Sequence, residues 1–367
     1  YESVGPKRVI LASVDQRSGP AAFQLVDNIT GAVVYRGLTG QPGTVADWSR
    51  DQFPTVPSWY RTADFSVFTK PGEYVVVTDG GARSWPFRIE TNLLERFTLS
   101  WVAHYFKDSR SDGQFDKADR NLTDGTTKVD AHGGWYDAAA DWGKHFTQLS
   151  QHSFFNTLSI PLTAWVLLAA RDDLVRRDDK NFIALTTWLL DEGLYGADYL
   201  VRTHVAGKSF YSGVSQPEDD FLDVDPTLRK LSTHLVNYRE GGGLAIAALA
   251  RASTYPVSGD YGKADYLKAA QEAFTFLQAN NGGMTNDRKE NIQDDYNALL
   301  AAVELFKATK DAQYQKAADD RAAKLTARLT AKGYWRADDV DRPFFHPSDA
   351  GLPVVSLLSY ADIAPDK

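Results

Sequence analysis

The apolar residues of this chain change period near residue 90, and a single layer of structure cannot serve both periods. From Arg8 to about Ile89 the sequence alternates short β-rich runs with turn residues: Arg8 to Val14, Phe23 to Val26, Ala32 to Tyr35, Phe65 to Phe68, Glu73 to Thr78 and Trp85 to Ile89. Asp27-Asn28-Ile29-Thr30-Gly31, Pro71-Gly72 and Asp79-Gly80-Gly81 supply turns at spacings that suit a small antiparallel sandwich. After Thr91 apolar residues recur at three- and four-residue steps, most clearly at Tyr296, Leu299, Leu300, Val303 and Phe306, which is helical spacing. The expected organisation is an all-β sandwich over residues 1–90 followed by an all-α domain over residues 91–367. A chain of 367 residues is long enough for both cores.

A weak internal repeat organises the helical part. Leu249-Ala250-Arg251-Ala252-Ser253 leading to Tyr266-Leu267-Lys268-Ala269-Ala270 resembles Leu305-Phe306-Lys307-Ala308-Thr309 leading to Tyr314-Gln315-Lys316-Ala317-Ala318. Each copy reads as a helical hairpin, and hairpins repeating at roughly 50 residues bury their stripes only by stacking into a solenoid or closing into a toroid. About seven or eight helices are expected from Leu93 to Tyr360, with long loops at Lys107 to Lys144, Tyr211 to Gly243 and Gly333 to Leu352, where chemistry would sit. Several function classes fall away. The chain has no cysteine, and its 40 basic residues against 48 acidic ones, net charge −8, include no long basic run. Nucleic-acid partners are therefore not expected. The most apolar stretch, Leu158 to Ala170, is broken by Pro161 and is shorter than the roughly 20 residues a bilayer requires, so no membrane span is expected.

The segment His132-Gly133-Gly134-Trp135-Tyr136-Asp137-Ala138-Ala139-Ala140-Asp141-Trp142-Gly143-Lys144 carries the strongest chemical signal. Two carboxylates four residues apart, Asp137 and Asp141, could take a proton from a water and orient it, while Trp135, Tyr136 and Trp142 offer flat faces for a sugar. The alternative is that Asp141 caps a helix starting at Trp142 and Asp137 is a solvated turn residue. Trp335, Arg336, Arg342, Phe344, His346 and Asp349 form a second mix suited to sugar hydroxyls and faces, unless Ser348 and Asp349 begin a helix. Tyr238 to Gly243 reads either as an anion site at a helix start or as a tight turn that brings Arg239 and Glu240 to the cleft. The seven histidines show no ligand cluster and there is no Gly-x-Ser-x-Gly elbow, so neither a transition metal nor a serine nucleophile is expected. No cofactor is called for. Glu218-Asp219-Asp220 and Asp338-Asp339 could hold a structural calcium, or simply be solvated surface.

The segment at 132–144 resembles the signature of glycoside hydrolase family 9: Gly-Gly-Trp, then Tyr or His, then Asp-Ala-Gly-Asp, followed shortly by Lys. The preceding sandwich resembles the cellulase amino-terminal immunoglobulin-like domain through Lys7 to Ser13, Phe23 to Gly37, Asp64-Phe65-Ser66 and Pro86-Phe87. This chain has one extra residue between the aspartates, as in a subgroup resembling exo-β-glucosaminidases and chitobiases, and Ala139 and Ala140 stand where Ser and Gly are frequent. Tyr238 to Gly243, Glu290-Asn291-Ile292 with Asp294-Asp295-Tyr296, and Arg342-Pro343-Phe344-Phe345-His346 resemble that subgroup too. The resemblance implies an (α/α)6-type toroid and inverting hydrolysis of β-1,4-linked glucosyl or glucosaminyl chains, with Asp141 as general base and Asp137 helping to hold the water. It implies a glutamate as general acid near the carboxyl end of the toroid, yet the final glutamate here is Glu304. The acid and the remaining helices are therefore expected from a second polypeptide or a cleaved carboxyl-terminal fragment, seated on an apolar stripe of Val354, Val355, Leu357 and Leu358. A polysaccharide substrate implies a secreted or periplasmic protein whose mature chain starts at Tyr1, with Asn28 and Asn121 as glycosylation sequons in a glycosylating host. The rival expectation is a non-catalytic carbohydrate-binding or scaffold protein derived from such a hydrolase.

Overall fold

The computed structural model describes residues 1–14, 19–44, 59–137, 141–149, 156–215, 225–336 and 347–364. The chain divides into two compact units, Tyr1–Val102 and Ala103–Lys367. In the first, alternating apolar residues build β1 (Arg8–Ser13), β2 (Ala22–Asp27), β3 (Val33–Leu38), β4 (Trp59–Asp64), β5 (Gly72–Thr78) and β6 (Phe87–Ile89). These six strands pair antiparallel: β1 with β4, and a four-stranded sheet in the order β3-β2-β5-β6. Phe23, Leu25, Tyr74, Val76 and Ile89 from the larger sheet share one core with Ala63 and Phe65, the arrangement of a small sandwich. The turn after β2 forms because Asp27 Oδ1 accepts from the Ile29 and Thr30 amides at 3.0 and 2.8 Å. The expected strand at Phe65 to Phe68 is instead a turn. Phe65 is fully buried, but Asp64 Oδ1 accepts from the Ser66 amide at 2.9 Å and bends the backbone there, so pairing falls to the six preceding residues.

α1 (Ser100–Asp108) carries the chain from the first unit into the second, which runs on through α2 (Gly113–Asp119), β7 (Leu122–Thr123), β8 (Lys128–Val129), β9 (Lys144–His145), β10 (Thr147–Leu149) and β11 (Asn156–Leu158). It continues with α3 (Ile160–Arg177), α4 (Ile183–Thr203), β12 (Tyr211–Ser215), β13 (Lys230–Leu235), α5 (Gly243–Ala252), α6 (Lys263–Met284), α7 (Ile292–Thr309), α8 (Ala312–Ala327) and α9 (Pro347–Ala361). Helices α3, α5, α7 and α9 pack consecutively as an inner row, and α4, α6 and α8 lie against them as the outer halves of hairpins. The inner row explains the sequence pattern: α5 is buried from Gly243 to Ala250 and α7 from Ile292 to Leu305. The repeated segments are the α5/α6 and α7/α8 hairpins, with Tyr266 and Tyr314 buried at matching places. Pro161 lies in the first turn of α3, where its missing N–H costs no helical bond. Among the described residues no helix is long and apolar enough to cross a membrane.

Two expectations need correcting here. The seven-residue α2 brings the helices among the described residues to nine, one more than the upper expectation. The loops at Lys107 to Lys144 and Tyr211 to Gly243 also contain strands, including an antiparallel sheet in the order β13-β12-β9. Strands of two to six residues are too short to impose a readable period.

Candidate active site

Strand alternation sends Lys144 inward and His145 the opposite way. Lys144, Asp119 and Arg229 have side chains with 0% exposure and form one buried ionic cluster. Asp119 accepts from Arg229 Nε and Nη2 at 2.6 and 2.8 Å and from Lys144 Nζ at 2.8 Å. Lys144 Nζ also donates to the Ala131 and Gly133 carbonyls, both at 2.7 Å, and Arg229 Nη1 to the Trp142 carbonyl at 2.7 Å. The cluster thus ties both ends of the segment 131–144. Burial pushes the Lys144 ammonium down to about 8, and Asp119 opposes that shift, so the amine keeps its charge at neutral pH.

Two glycines shape the entry. Gly133 and Gly134 have φ of +78° and +75°, and a Cβ on Gly134 would lie 2.9 Å from the Tyr199 ring. Ser111 N–H donates to Gly134 O at 2.8 Å and Tyr136 N–H to Ser109 O at 2.9 Å, fixing the backbone on either side of Trp135. Trp135 is only 3% exposed, and its indole N–H reaches Glu192 at 3.3 Å, itself paired with Arg110. Its expected role as a stacking face is corrected: the ring fills space beside Gly196, Phe106 and Tyr195. Trp142 stacks on Phe115 at 5.1 Å, and Tyr136 meets Trp142 edge-on at 5.1 Å. Both remain half-buried, and Tyr136 O–H sits within 3.3 Å of Ser111 Oγ.

Asp137 and Asp141 come together around Gly143. The Asp137 amide donates to Gly143 O at 3.0 Å, and the Gly143 amide donates to Asp141 Oδ1 at 2.9 Å. Asp141 caps no helix, because the chain enters β9 two residues after Trp142. What the side chain holds is a tight turn. Asp137 lines a cavity of about 230 Å³ together with Tyr105, Phe106, Trp135, Tyr136, His145 and the start of α3. A carboxylate lining a cavity walled by aromatic rings, with a second carboxylate on the same turn, suits a sugar-sized ligand and a water's proton.

The other expected residues lie elsewhere. Arg239 is buried against Asp294, with Nη2 at 2.6 Å and Nε at 2.8 Å, and also donates to Lys289 O. Glu240 accepts from the Asn237 amide at 3.1 Å and pairs with His234 at 2.8 Å. Arg239 and Glu240 thus brace the kinked turn before α5 rather than reaching a cleft. The anion reading of that turn is also corrected: the space at Gly243 is filled, a Cβ there lying 2.6 Å from Asn297 O. The neighbouring motif is equally structural, with Asp295 and Glu290 both held by Arg321. Trp335 donates to Leu325 O at 2.9 Å. Arg342, Phe344 and His346 lie outside the described residues, as do both Asp-rich loops and the residues 138–140. Asp349 falls in the first turn of α9. Among the described residues no three His, Asp or Glu side chains gather as a metal site would require.

Sequence reasoning missed Asp119, Arg229 and His145. The first two are 110 residues apart, so no local pattern joins them. His145 had one available signal, its position directly after Lys144 on a strand with alternating faces.

With this geometry in view, the sequence profile of glycosyl hydrolase family 9 matches residues 98–341, and that of the cellulase N-terminal ig-like domain matches residues 1–83. Among solved structures, the GH family 9 endoglucanase J30 aligns with 99% of this chain and 71% of its own, at 21% identity and a TM-score of 0.64. A metagenome-derived glycoside hydrolase family 9 endoglucanase covers the same shares at 23% identity and 0.60. A GH9 protein of Bacteroides ovatus does so at 19% and 0.58. These likenesses establish the fold, an immunoglobulin-like sandwich followed by a helical unit of (α/α)6 type. No curated protein matches the sequence.

Proposed function

We start from the fact that this chain belongs to glycosyl hydrolase family 9, and we propose that it hydrolyses β-1,4-linked glucosyl or glucosaminyl chains with inversion. On this reading Asp141 takes a proton from water as the water's oxygen bonds to the anomeric carbon, and Asp137 holds that water in line. The bond to the leaving sugar breaks as a general acid returns a proton to the glycosidic oxygen. Neither transfer calls on a cofactor. The observation that supports the reading is the Gly143 turn, bonded to the Asp137 amide and the Asp141 carboxylate and followed directly by Lys144 of the buried cluster with Asp119 and Arg229.

The acid is proposed to be a glutamate outside these 367 residues, on a second polypeptide or a cleaved carboxyl-terminal fragment. The support comes from how the second unit's described glutamates are engaged. Glu192 is held by Arg110 and Trp135, Glu240 by His234, and Glu272 by the Gly207 amide at 2.9 Å. Glu290 is held by Arg321, and Glu304 by Arg251 and Trp165. A carboxylate whose oxygens are committed to such partners is not free to reach a glycosidic oxygen. Val354 and Leu358, exposed at 45% and 65% one helical turn apart on α9, support a seat for that partner. A polymeric substrate places the reaction outside the cytoplasm, secreted or periplasmic.

The test is Asp141→Asn in the active assembly. The amide keeps the acceptor for the Gly143 N–H but cannot take the water's proton. Turnover of a β-1,4-oligosaccharide should fall by about 10² to 10⁴ while binding persists. Unchanged turnover would remove Asp141 as the base, and oligosaccharide binding without any wild-type turnover would favour a non-catalytic carbohydrate-binding role.

A further inference from the structure

Beside the two aspartates stands a third titratable group that the proposed mechanism does not use. His145 lies on β9 with its ring on the cavity side, half-buried, and among the described residues its ring nitrogens have no hydrogen-bond partner. Its Nε2 comes within 2.4 Å of the point where a Gly143 Cβ would sit, and Asp141 Oδ1 comes within 3.0 Å of that same point. Only glycine leaves that space open. The two side chains therefore face each other across Gly143, too far apart for a direct ion pair yet within the span of one bridging water.

We propose that His145 is a positioning residue for Asp141, holding the carboxylate through a shared water and, when protonated, keeping it ionised. This inference rests on the hydrolase reading for its consequence in turnover, but not for the coupling itself. One further carboxylate, that of Asp137, lines the same cavity. The cavity wall from α3 contributes Ser159, Ile160 and Thr163, none of them charged, and β12 opposes His145 with Gly213. The other titratable groups facing the ring are Asp137 from the turn, Tyr105 from α1 and Tyr136. Lys144 points to the far side of the strand, where Asp119 holds it. A positive imidazole and a carboxylate that share one water attract each other across it.

Two readouts test this. The first needs no substrate: the active assembly, with this chain labelled at its histidine rings, is titrated by NMR as wild type and as Asp141→Asn, with His145→Gln used to assign the signal. Loss of the Asp141 charge should change the pH response of the His145 ring signals, because the two groups share one water. The second uses the active assembly. His145→Gln should displace the acid limb of the kcat/KM profile while retaining more turnover than His145→Phe, because the amide still donates but carries no charge. An imidazole that titrates identically in both proteins overturns the proposal, whatever the protein hydrolyses. An acid limb that stays in place in His145→Gln overturns it as well. Absence of turnover in every preparation, wild type included, strikes the hydrolase reading instead and leaves the titration to decide.

Discussion

Replacing Asp119 by Asn should undo the support of the candidate site before it undoes the fold around it. The carboxylate is fully buried and is the counter-charge for two fully buried cations, Lys144 and Arg229. The amide has the same shape, so packing is nearly conserved and the change is electrostatic. Removing one partner from a buried pair costs about 3–5 kcal/mol, because the remaining charge stays out of water without compensation. Here two cations are stranded, and the carbonyls of Ala131, Gly133 and Trp142 offset only part of that penalty. The cost should fall at the upper end of the range. For a unit of this size about 2–4 °C of Tm accompanies each kcal/mol, so the melting transition of the helical unit should drop on the order of 10 °C. Adding Lys144→Met should recover part of the loss, since one stranded charge is removed, and the double variant should be less destabilised than the sum of the singles by about 1–3 kcal/mol. Urea denaturation of the two singles and the double, followed by tryptophan fluorescence, measures all three terms. Strict additivity, or a loss under about 1 kcal/mol for Asp119→Asn, would show that the cluster does not hold the segment.

The same lysine predicts a pH dependence. Its folded value is pushed down to about 8 from the ordinary 10.5, so between those limits the unfolded chain holds a proton that the folded chain has released, and stability should rise as pH goes from about 8 to about 10. Lys144→Met should flatten that slope in denaturant midpoints; a wild-type slope of the opposite sign would refute the burial argument. Expressed alone, residues 1–367 should be inactive on β-1,4-oligosaccharides and prone to aggregate. Under the proposed arrangement a companion carrying the acid should copurify and resist salt through an apolar interface of more than about 2,000 Å²; a soluble, fully active monomer would refute it.

How much of this was legible depends on whether the governing interaction is local. The helical hairpins could be read because α5 and α7 are buried on almost every face, which leaves the repeat at Leu249 and Leu305 little freedom to drift. The sandwich strands could be read because their alternation is set by neighbours two residues away, and the misplacement at Phe65 arose because burial of a ring says nothing about the path of its backbone. Asp137 and Asp141 were accessible through their spacing and through a resemblance. Their support was not, since Asp119 meets Arg229 across 110 residues and β9 is two residues long. Trp135 and Arg239 show the complementary limit: residue type suggests what a side chain could bind, but an indole 3% exposed and a guanidinium paired with Asp294 are already occupied by the fold.

The central claim is that a water activated by Asp141 attacks the anomeric carbon directly, and the configuration of the first product tests it most closely. Proton NMR of the anomeric region, recorded in the opening minutes of hydrolysis of a β-1,4-oligosaccharide by the active assembly, separates the two outcomes before mutarotation mixes them. Direct displacement predicts that the α-anomer appears first. Initial release of the β-anomer would mean that a carboxylate attacks the sugar as nucleophile, and would contradict the roles given to Asp141 and Asp137.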